Sequence, residues 1–221
     1  MEKARLIFVR HGQSVGNFNH VLLGHTDLDL SELGYEQARI SADALSDEKI
    51  DVIYSSDLKR AYNTAVAHAN IRNMTVIADK GFREQHLGRM ENASVAVLRD
   101  ANDAEYLVFK NDFGNFHPTG GESTYALGER IYENAIRVAR ENIGKTILIG
   151  CHAAAIRSLF GKLLGFSREQ ISRELNFPLN ASFSIVEYTD GELFPIEYSR
   201  DEHIAHTLPY PSEHRIFTTD R

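Results

Sequence analysis

The chain has 221 residues, of which 43% are hydrophobic, and it carries a formal net charge of −7 at pH 7. This length and composition predict a single domain over residues 1–221 with a sizeable core, and the negative charge argues against nucleic acid and anionic membranes as partners. The single cysteine, Cys151, excludes an internal disulfide, and the lack of a membrane span or secretory signal in the sequence predicts a cytoplasmic protein.

The first third of the chain alternates between strand and helix patterns. Residues 5–9 and 51–54 are short apolar runs typical of buried strands, and a helix pattern comes after each of them. Ser31 is the predicted N-cap of the first helix, and Ser55, Ser56 and Asp57 are the candidates for the second. The predicted elements are strands over residues 5–9, 51–54 and 74–78 and helices over residues 31–45 and 58–69.

The regular pattern breaks down between about residue 81 and residue 121. Gly, Asn and Asp alternate there with aromatic residues. A stretch of this kind, partly helical at best, more often forms a cap or lid than part of a regular sheet. We therefore expect a short cap insertion, in which the phenylalanines between residues 109 and 116 more often pack than contact substrate.

Regular patterns return in the last third of the chain. The strand over residues 146–151 is the most apolar in the sequence, and Asp190-Gly191 is typical of a hairpin turn. One helix has its apolar face between residues 127 and 139, and Gly144 is placed to end it. The remaining predicted elements are a helix over residues 153–164, hairpin strands over residues 181–188 and 192–198, and an irregular tail beyond Arg200. The order of elements predicts an α/β fold: a three-layer sandwich with a mostly parallel central sheet and helices on both faces.

Polar side chains stand where three of the predicted strands end. Arg10 and His11 follow the first strand, and His152 follows the strand over residues 146–151. Arg60 lies in the first turn of the helix after the second strand. If these strands are parallel neighbours, the four side chains meet at one edge of the sheet. Two guanidinium groups suit a phosphate dianion, and although sulfate or carboxylate would also fit, the two histidines favour phosphate because anion binding alone does not need them.

These residues lie within motifs that resemble those of the histidine phosphatase superfamily, the family with the phosphoglycerate-mutase-like fold. Residues 10–14 with Asn17 are similar to its opening motif, and residues 55–61 match its third block almost residue for residue. The matches occur in order from residue 5 to about residue 188, and together they are highly specific. The other matching segments are residues 24–27, 30–34 with Gln37 and Ala38, Thr64 with Ala65, 82–84, 120–123, and His152 with Ile156 and Arg157.

The resemblance implies that His11 is the nucleophile and takes the phosphoryl group to give a phosphohistidine. The attacking nitrogen must be neutral, and Arg10 and Arg60 are expected to lower the pKa of His11. A hydrogen bond from the other ring nitrogen to a backbone carbonyl is expected to set the tautomer. His152 would donate to the phosphoryl oxygens from the opposite side.

The resemblance also implies that Asn17 is a neutral phosphate donor and that Glu84 is the general acid, which protonates the leaving alkoxide and then activates water. Because the pattern around Glu84 is looser, a surface or ion-paired carboxylate is the alternative. No metal and no cofactor are implied, since the arginines supply the positive charge that magnesium supplies elsewhere. The implied partner is a small phosphorylated metabolite, and the sequence leaves open whether the chain forms a homo-oligomer.

Other residues have a structural as well as a functional interpretation. Arg83 is either a ligand or part of an ion pair that holds the cap, and Glu122 either contacts substrate or caps the next helix. Cys151 is expected to be buried and inert rather than a nucleophile. His203 and His206 could share a metal, but no further ligand is evident, so solvated histidines are favoured.

The chain departs from the family pattern at two places. Relatives often have Gln or Ser where this chain has Leu23, and they usually have glycine where it has Ala153 and Ala154. These changes put the catalytic power in doubt, so a weakly active phosphate-ligand-binding or regulatory module is one alternative function.

A cofactor-dependent phosphoglycerate mutase is the other alternative. Residues 27–31 and 175–178 are similar to mutase segments. The insertion after Glu84 is short, however, and residues 120–123 are more usual in the phosphatase branch. The sequence therefore favours a metal-independent phosphatase.

Overall fold

A six-stranded sheet organises the fold in the computed structural model, which describes residues 2–205. The strands are β1 (Lys3–Arg10), β2 (Val52–Ser55), β3 (Val76–Ala78), β4 (Thr146–Cys151), β5 (Phe183–Thr189) and β6 (Glu192–Arg200). The α-helices are α1 (Val15–Phe18), α2 (Glu32–Ala44), α3 (Lys59–Asn70), α4 (Val95–Asp100), α5 (Ala104–Asn111), α6 (Thr124–Glu141), α7 (Ala153–Leu163), α8 (Arg168–Glu174) and α9 (Glu202–Ala205).

The sheet has the strand order β3-β2-β4-β1-β5-β6. Strand β4 is parallel to both β1 and β2, and β3 is parallel to β2, whereas β5 and β6 add antiparallel pairs at one side. In register, Arg10 pairs with Cys151 and Ser55 pairs with Gly150. The carboxyl ends of β1, β2 and β4 are therefore level, so the residues that follow them leave the sheet at one edge.

Alternate side chains of β1 belong to cores on opposite faces of the sheet. Leu6 and Phe8 pack in the core that holds the buried residues of α6 and α7. Ile7 and Val9 pack in the second core, which holds Ala65 of α3. Because alternate strand residues face opposite ways, the sheet is the middle layer of three, and the predicted α/β class is confirmed. Within residues 2–205, no helix combines the length and the apolar character needed to cross a bilayer.

The ends of several elements differ from the prediction. Helix α3 has Leu58 as its N-cap, without a side-chain cap bond, so the prediction of Ser55, Ser56 or Asp57 was wrong. Leu58 is only 2% exposed, and its burial fixes the start of the helix. The short helices α1 and α8 were missed, although α8 begins with a capping box at Ser167.

The chain beyond Arg200 is not irregular throughout, because residues 202–205 form α9 and Ile204 is fully buried. His203 stacks on Phe183, with ring centroids 4.2 Å apart. It contacts the Ala181 carbonyl at 3.0 Å, so it is not a solvated histidine. His206, the other histidine of the suggested pair, lies outside the described residues.

The insertion over residues 81–121 contains α4, α5 and three short 3₁₀ turns. Its aromatic side chains cluster with one another and with Phe177: the Phe109 ring lies 5.0 Å from Phe116 and 5.7 Å from Phe177 between centroids. This packing confirms the structural interpretation of these phenylalanines. Phe109 and Phe177 nevertheless also line a cleft, which makes them part of the candidate site.

Candidate active site

The end of β1 places Arg10 and His11 at the edge of the sheet. Backbone hydrogen bonds tie Arg10 N to Ser182 O at 3.1 Å and His11 N to Cys151 O at 3.0 Å. The imidazole Nδ1 of His11 lies 2.7 Å from its acceptor, the carbonyl of Gly12. Because a carbonyl only accepts, Nδ1 carries the proton and Nε2 carries the lone pair. The ring is therefore held with Nε2 as the one nitrogen that could attack an electrophile.

Close packing against Gly34 requires a glycine at position 12. A Cβ at this position would lie 2.3 Å from Gly34 O, and a Cβ at Gly34 would lie 1.9 Å from Gln13 O. The small size of Gly12 lets the start of α2 lie against the chain that follows His11, which fixes the direction of the backbone there.

The surroundings of His11 keep its imidazole neutral. Burial lowers the pKa of His11 well below its ordinary value, and the positive charges of Arg60 and then Arg10 lower it further. The hydrogen bond to Gly12 acts in the opposite sense. Sequence reasoning named the arginines, whereas the structure makes desolvation the larger cause.

Arg60 is a buried cation in the first turn of α3, and its guanidinium is held on one side by the loop before α2. Nη1 donates to Thr26 O at 2.9 Å and Nη2 donates to Gly24 O at 2.8 Å. Burial lowers the pKa of Arg60 to about 10, opposed by the carboxylates of Glu84 and Asp27. Arg60 therefore remains charged at neutral pH. The second cation, Arg10, is held by a hydrogen bond to the carbonyl of Pro178.

His152 lies next to His11 at the end of β4. The two ring centroids are 5.2 Å apart and the rings are inclined by 63°. Burial, followed by the charge of Arg60, lowers the pKa of His152 well below the ordinary value. Neither of its ring nitrogens has a hydrogen-bond partner among residues 2–205. A buried polar group without a partner is unusual in a native protein, and a bound oxyanion would satisfy the ring nitrogen that carries the proton.

Glu84 is fixed against the first turn of α7. Its carboxylate accepts hydrogen bonds from Ala154 N at 3.2 Å and Ala155 N at 3.0 Å. Its own carbonyl accepts from His25 Nε2 at 2.8 Å. The backbone amides of Ala154 and Ala155 therefore position this carboxylate, and Ala154 is one of the two alanines that stand where relatives usually have glycine.

The Asn17 amide is oriented by its neighbours. Its Oδ1 accepts from Ser14 N at 3.1 Å, from Ser14 Oγ at 3.0 Å and from Asn180 Nδ2 at 3.3 Å. With the oxygen engaged in this way, the amide nitrogen is the atom that can donate to a ligand. Asn180 also donates to His11 O at 3.0 Å, so it links the loop before β5 to His11.

One cleft joins these side chains, and it holds about 590 Å³ of space that includes open solvent. Five of the six predicted site residues are on its lining, and His152 is buried beside one of them. The lining residues of the predicted set are Arg10, His11, Asn17, Arg60 and Glu84. The remainder of the wall is mostly aliphatic or aromatic and includes Leu23, which was expected to remove a polar contact.

Residues 6–200 match the family model of the histidine phosphatase superfamily, branch 1. The chain belongs to the histidine phosphatase superfamily. It is 31% identical to "Phosphoglycerate mutase-like protein 4" of Arabidopsis thaliana over 94% of this chain and 90% of that protein. It is also 31% identical to "Phosphoserine phosphatase 1" of Hydrogenobacter thermophilus, over 82% and 85% of the two chains. The structure of a mycobacterial glucosyl-3-phosphoglycerate phosphatase with VO₃ superposes with a TM-score of 0.80 at 27% identity, covering 88% and 98% of the two chains.

Three further residues of this histidine phosphatase have structural roles. Arg83 forms a bidentate ion pair with Asp57, in which both N–O distances are 2.6 Å. This agrees with the interpretation that Arg83 holds the cap through an ion pair. Cys151 is fully buried, and burial raises the pKa of its thiol to about 12, so it is not a nucleophile at neutral pH. Ser123 caps α6 by accepting from Ala126 N at 3.1 Å.

In the described part of the chain, no group of three or more His, Cys, Asp or Glu residues could hold a metal ion.

Arg130 of α6 is a site-supporting residue that sequence reasoning missed. Its guanidinium forms two hydrogen bonds with the Glu122 carboxylate, at 2.9 and 2.8 Å. It also donates to the carbonyls of three residues that lead into the candidate general acid, namely Gly81, Arg83 and Glu84. Glu122 therefore acts through Arg130 rather than as the helix cap. Partners of this kind are backbone atoms, so no sequence motif could have revealed them.

Proposed function

We propose that the protein is a metal-independent phosphatase that hydrolyses small phosphomonoesters through a phosphohistidine on His11. The observation that carries this proposal is the state of His11: its Nδ1 is bound to a carbonyl and its pKa is lowered by burial and two guanidinium groups. A neutral imidazole with one fixed attacking nitrogen is what phosphoryl transfer to histidine requires. The named phosphatases among the relatives support the same chemistry.

In the first step, the phosphate dianion binds between Arg10 and Arg60, and Asn17 adds a neutral donor. Nε2 of His11 attacks phosphorus as the bond to the ester oxygen breaks, and Glu84 gives its proton to the leaving alkoxide. Two fixed cations and the buried His152 stabilise the charge that spreads over the transferring oxygens. The products of this step are the alcohol and phosphohistidine.

In the second step, water attacks the phosphorus of phosphohistidine. The Glu84 carboxylate takes a proton from the water as the P–N bond breaks, and His11 returns to its neutral state. Inorganic phosphate then leaves, so the cycle needs no external reductant, oxidant or metal. We expect full activity in EDTA, because the guanidinium groups supply the positive charge.

A single-turnover experiment with ³²P-labelled p-nitrophenyl phosphate tests the intermediate. We expect acid-labile, base-stable label on the wild-type protein and none on His11→Ala, with turnover lost in that variant. His117→Ala is the matched control, because that histidine is exposed on the cap segment. A normal rate in His11→Ala would refute the proposal.

A phosphoglycerate mutase is the second candidate, favoured by the mutase-like name of the Arabidopsis relative. A mutase returns the phosphoryl group to another hydroxyl instead of to water. Incubation with 3-phosphoglycerate, with and without bisphosphoglycerate, separates the two activities. Formation of the isomeric phosphoglycerate without release of free phosphate would indicate a mutase and refute our proposal. Tight phosphate binding without turnover of any phosphomonoester would indicate a binding module instead.

A further inference from the structure

The cleft beside His11 has two chemically different parts. Arg10 and Arg60 act on His11 through their charges, and Asn17 is linked to His11 through Asn180. The rest of the lining is dominated by aliphatic and aromatic side chains: Val21, Leu22, Leu23, Leu87, Val95, Phe109 and Phe177. The first part binds the phosphoryl group in the proposed function, so the second part must receive the alcohol to which the phosphate is attached.

Among the described residues that line the cleft, the cations are Arg10 and Arg60. Both lower the pKa of His11 through their charge, which places them at the phosphoryl end. A second anionic group of the substrate that lies inside the cleft would therefore lie against the apolar wall. Removing a carboxylate from water without a partner is unfavourable, so such substrates are disfavoured.

Two arginines of the cap are already paired with carboxylates. Arg83 is bound to Asp57, and Arg89 donates to Asp103 at 2.8 Å and to Glu105 at 2.9 Å. These ion pairs occupy guanidinium groups that could otherwise have turned toward a substrate carboxylate. Neither arginine thus adds free positive charge to the apolar part of the cleft.

A carboxylate and an amide oxygen, both hydrogen-bond acceptors, lie near the apolar part of the cleft. The Glu91 carboxylate lies behind Gly24 and Leu87: its Oε1 accepts from His25 N at 2.9 Å and from Leu87 N at 3.2 Å. Gln85 lines the cleft, but its Nε2 is bound to the Glu122 carbonyl at 2.8 Å, and its buried Oε1 has no partner within residues 2–205. An unpaired acceptor attracts a hydroxyl or amide N–H and repels a carboxylate.

We infer that the substrates are phosphomonoesters of uncharged, mainly apolar alcohols, and that a second acidic group on the alcohol is rejected. This inference rests on the proposed function and narrows it to a substrate class. It sets this chain apart from the relatives whose names specify phosphoserine or glucosyl-3-phosphoglycerate.

The test compares kcat/KM for propyl, butyl and hexyl phosphate with kcat/KM for phosphoserine and 3-phosphoglycerate, with phosphate release as the readout. Each added methylene should raise kcat/KM about threefold to fourfold if it enters the apolar wall. Hexyl phosphate should exceed phosphoserine by at least about a hundredfold, the ratio expected when a charge is left unpaired. Equal or better rates with phosphoserine or 3-phosphoglycerate would overturn the inference.

A charge-insertion variant tests the wall directly. Val95 lies at the start of α4 on the cleft, whereas Val97 on the same helix is 66% exposed. Val95→Arg should raise the ratio of phosphoserine to hexyl phosphate activity at least tenfold, and the control Val97→Arg should leave it unchanged. An unchanged ratio in Val95→Arg would contradict the inference.

Turnover of p-nitrophenyl phosphate separates a failure of the proposed function from a failure of the inferred substrate class. If this ester is hydrolysed by the wild type but not by His11→Ala, the proposed function stands, and the alkyl series alone decides the substrate class. If no phosphomonoester is hydrolysed, the proposed function and the inference fail together.

Discussion

Arg130 is predicted to act as a positioning residue for Glu84, and Arg130→Met is the variant that tests this role. The substitution keeps an unbranched side chain of similar length and removes every N–H donor. It releases the carbonyls of Gly81, Arg83 and Glu84, and it leaves the Glu122 carboxylate without its partner.

The expected loss of stability follows from these contacts. Hydrogen bonds that involve a charged group contribute about 1.5–3 kcal/mol each in mutational series. The Arg130 and Glu122 side chains are 27% and 18% exposed, so water can replace part of what is lost. We therefore expect the free energy of unfolding to fall by about 2–4 kcal/mol, below the simple sum over all the bonds.

The expected effect on catalysis depends on the leaving group. A general acid contributes about 10²–10⁴-fold, and a displacement of about 1 Å can cost about a hundredfold. Arg130→Met should therefore lower kcat/KM for hexyl phosphate by about ten- to a hundredfold, because its alkoxide must be protonated as it leaves. The value for p-nitrophenyl phosphate should fall less than about threefold, since nitrophenolate leaves without a proton.

The assay measures kcat/KM for both esters together with urea unfolding, and Glu84→Gln provides the reference for loss of the acid itself. Arg137→Met is the matched control: Arg137 lies on the same helix and is ion-paired with Asp79 and Glu141, but it is 44% exposed. Equal losses for the two esters, or equal behaviour of Arg130→Met and Arg137→Met, would refute the positioning role.

Three further outcomes are expected. Gly34→Ala should lower the urea midpoint, because its Cβ would meet Gln13 O at 1.9 Å and overpacking costs about 1–3 kcal/mol; an unchanged midpoint would contradict the close approach. Arg60→Met removes a positive charge that lowers the pKa of His11, so His11 should become protonated at a higher pH than in wild type, as followed by NMR of labelled histidine; an unmoved titration would argue against that coupling. Cys151 should resist iodoacetamide until the protein is unfolded, since its thiol is buried with a pKa raised to about 12, and rapid labelling of native protein would count against this placement.

The convergence of Arg10, His11 and His152 could be predicted because it follows from the fold class alone. Residues at the carboxyl ends of neighbouring parallel strands must meet, and the register of Arg10 with Cys151 brings this about. Whether each segment of the central layers is a strand or a helix could also be predicted, because the spacing of apolar residues shows which face of the segment is buried.

What could not be predicted depends on contacts with backbone atoms far away in the chain. Asn180 donates to the carbonyl of His11, 169 residues away, and Arg130 donates to the Glu84 carbonyl, 46 residues away. A carbonyl is present at every residue, so neither partner leaves a local pattern. The predicted N-cap of α3 was wrong for a related reason, because tertiary burial of Leu58 outweighed the local preference for a polar cap residue.

Helix α7 connects two proposed catalytic groups mechanically. It begins directly after His152, and its first-turn amides, those of Ala154 and Ala155, hold the carboxylate of Glu84. A tilt or translation of α7 would therefore displace the Glu84 carboxylate and the His152 imidazole together. Inactivation by such a displacement would be concerted, and restoring one group without the other would require the helix itself to be rebuilt.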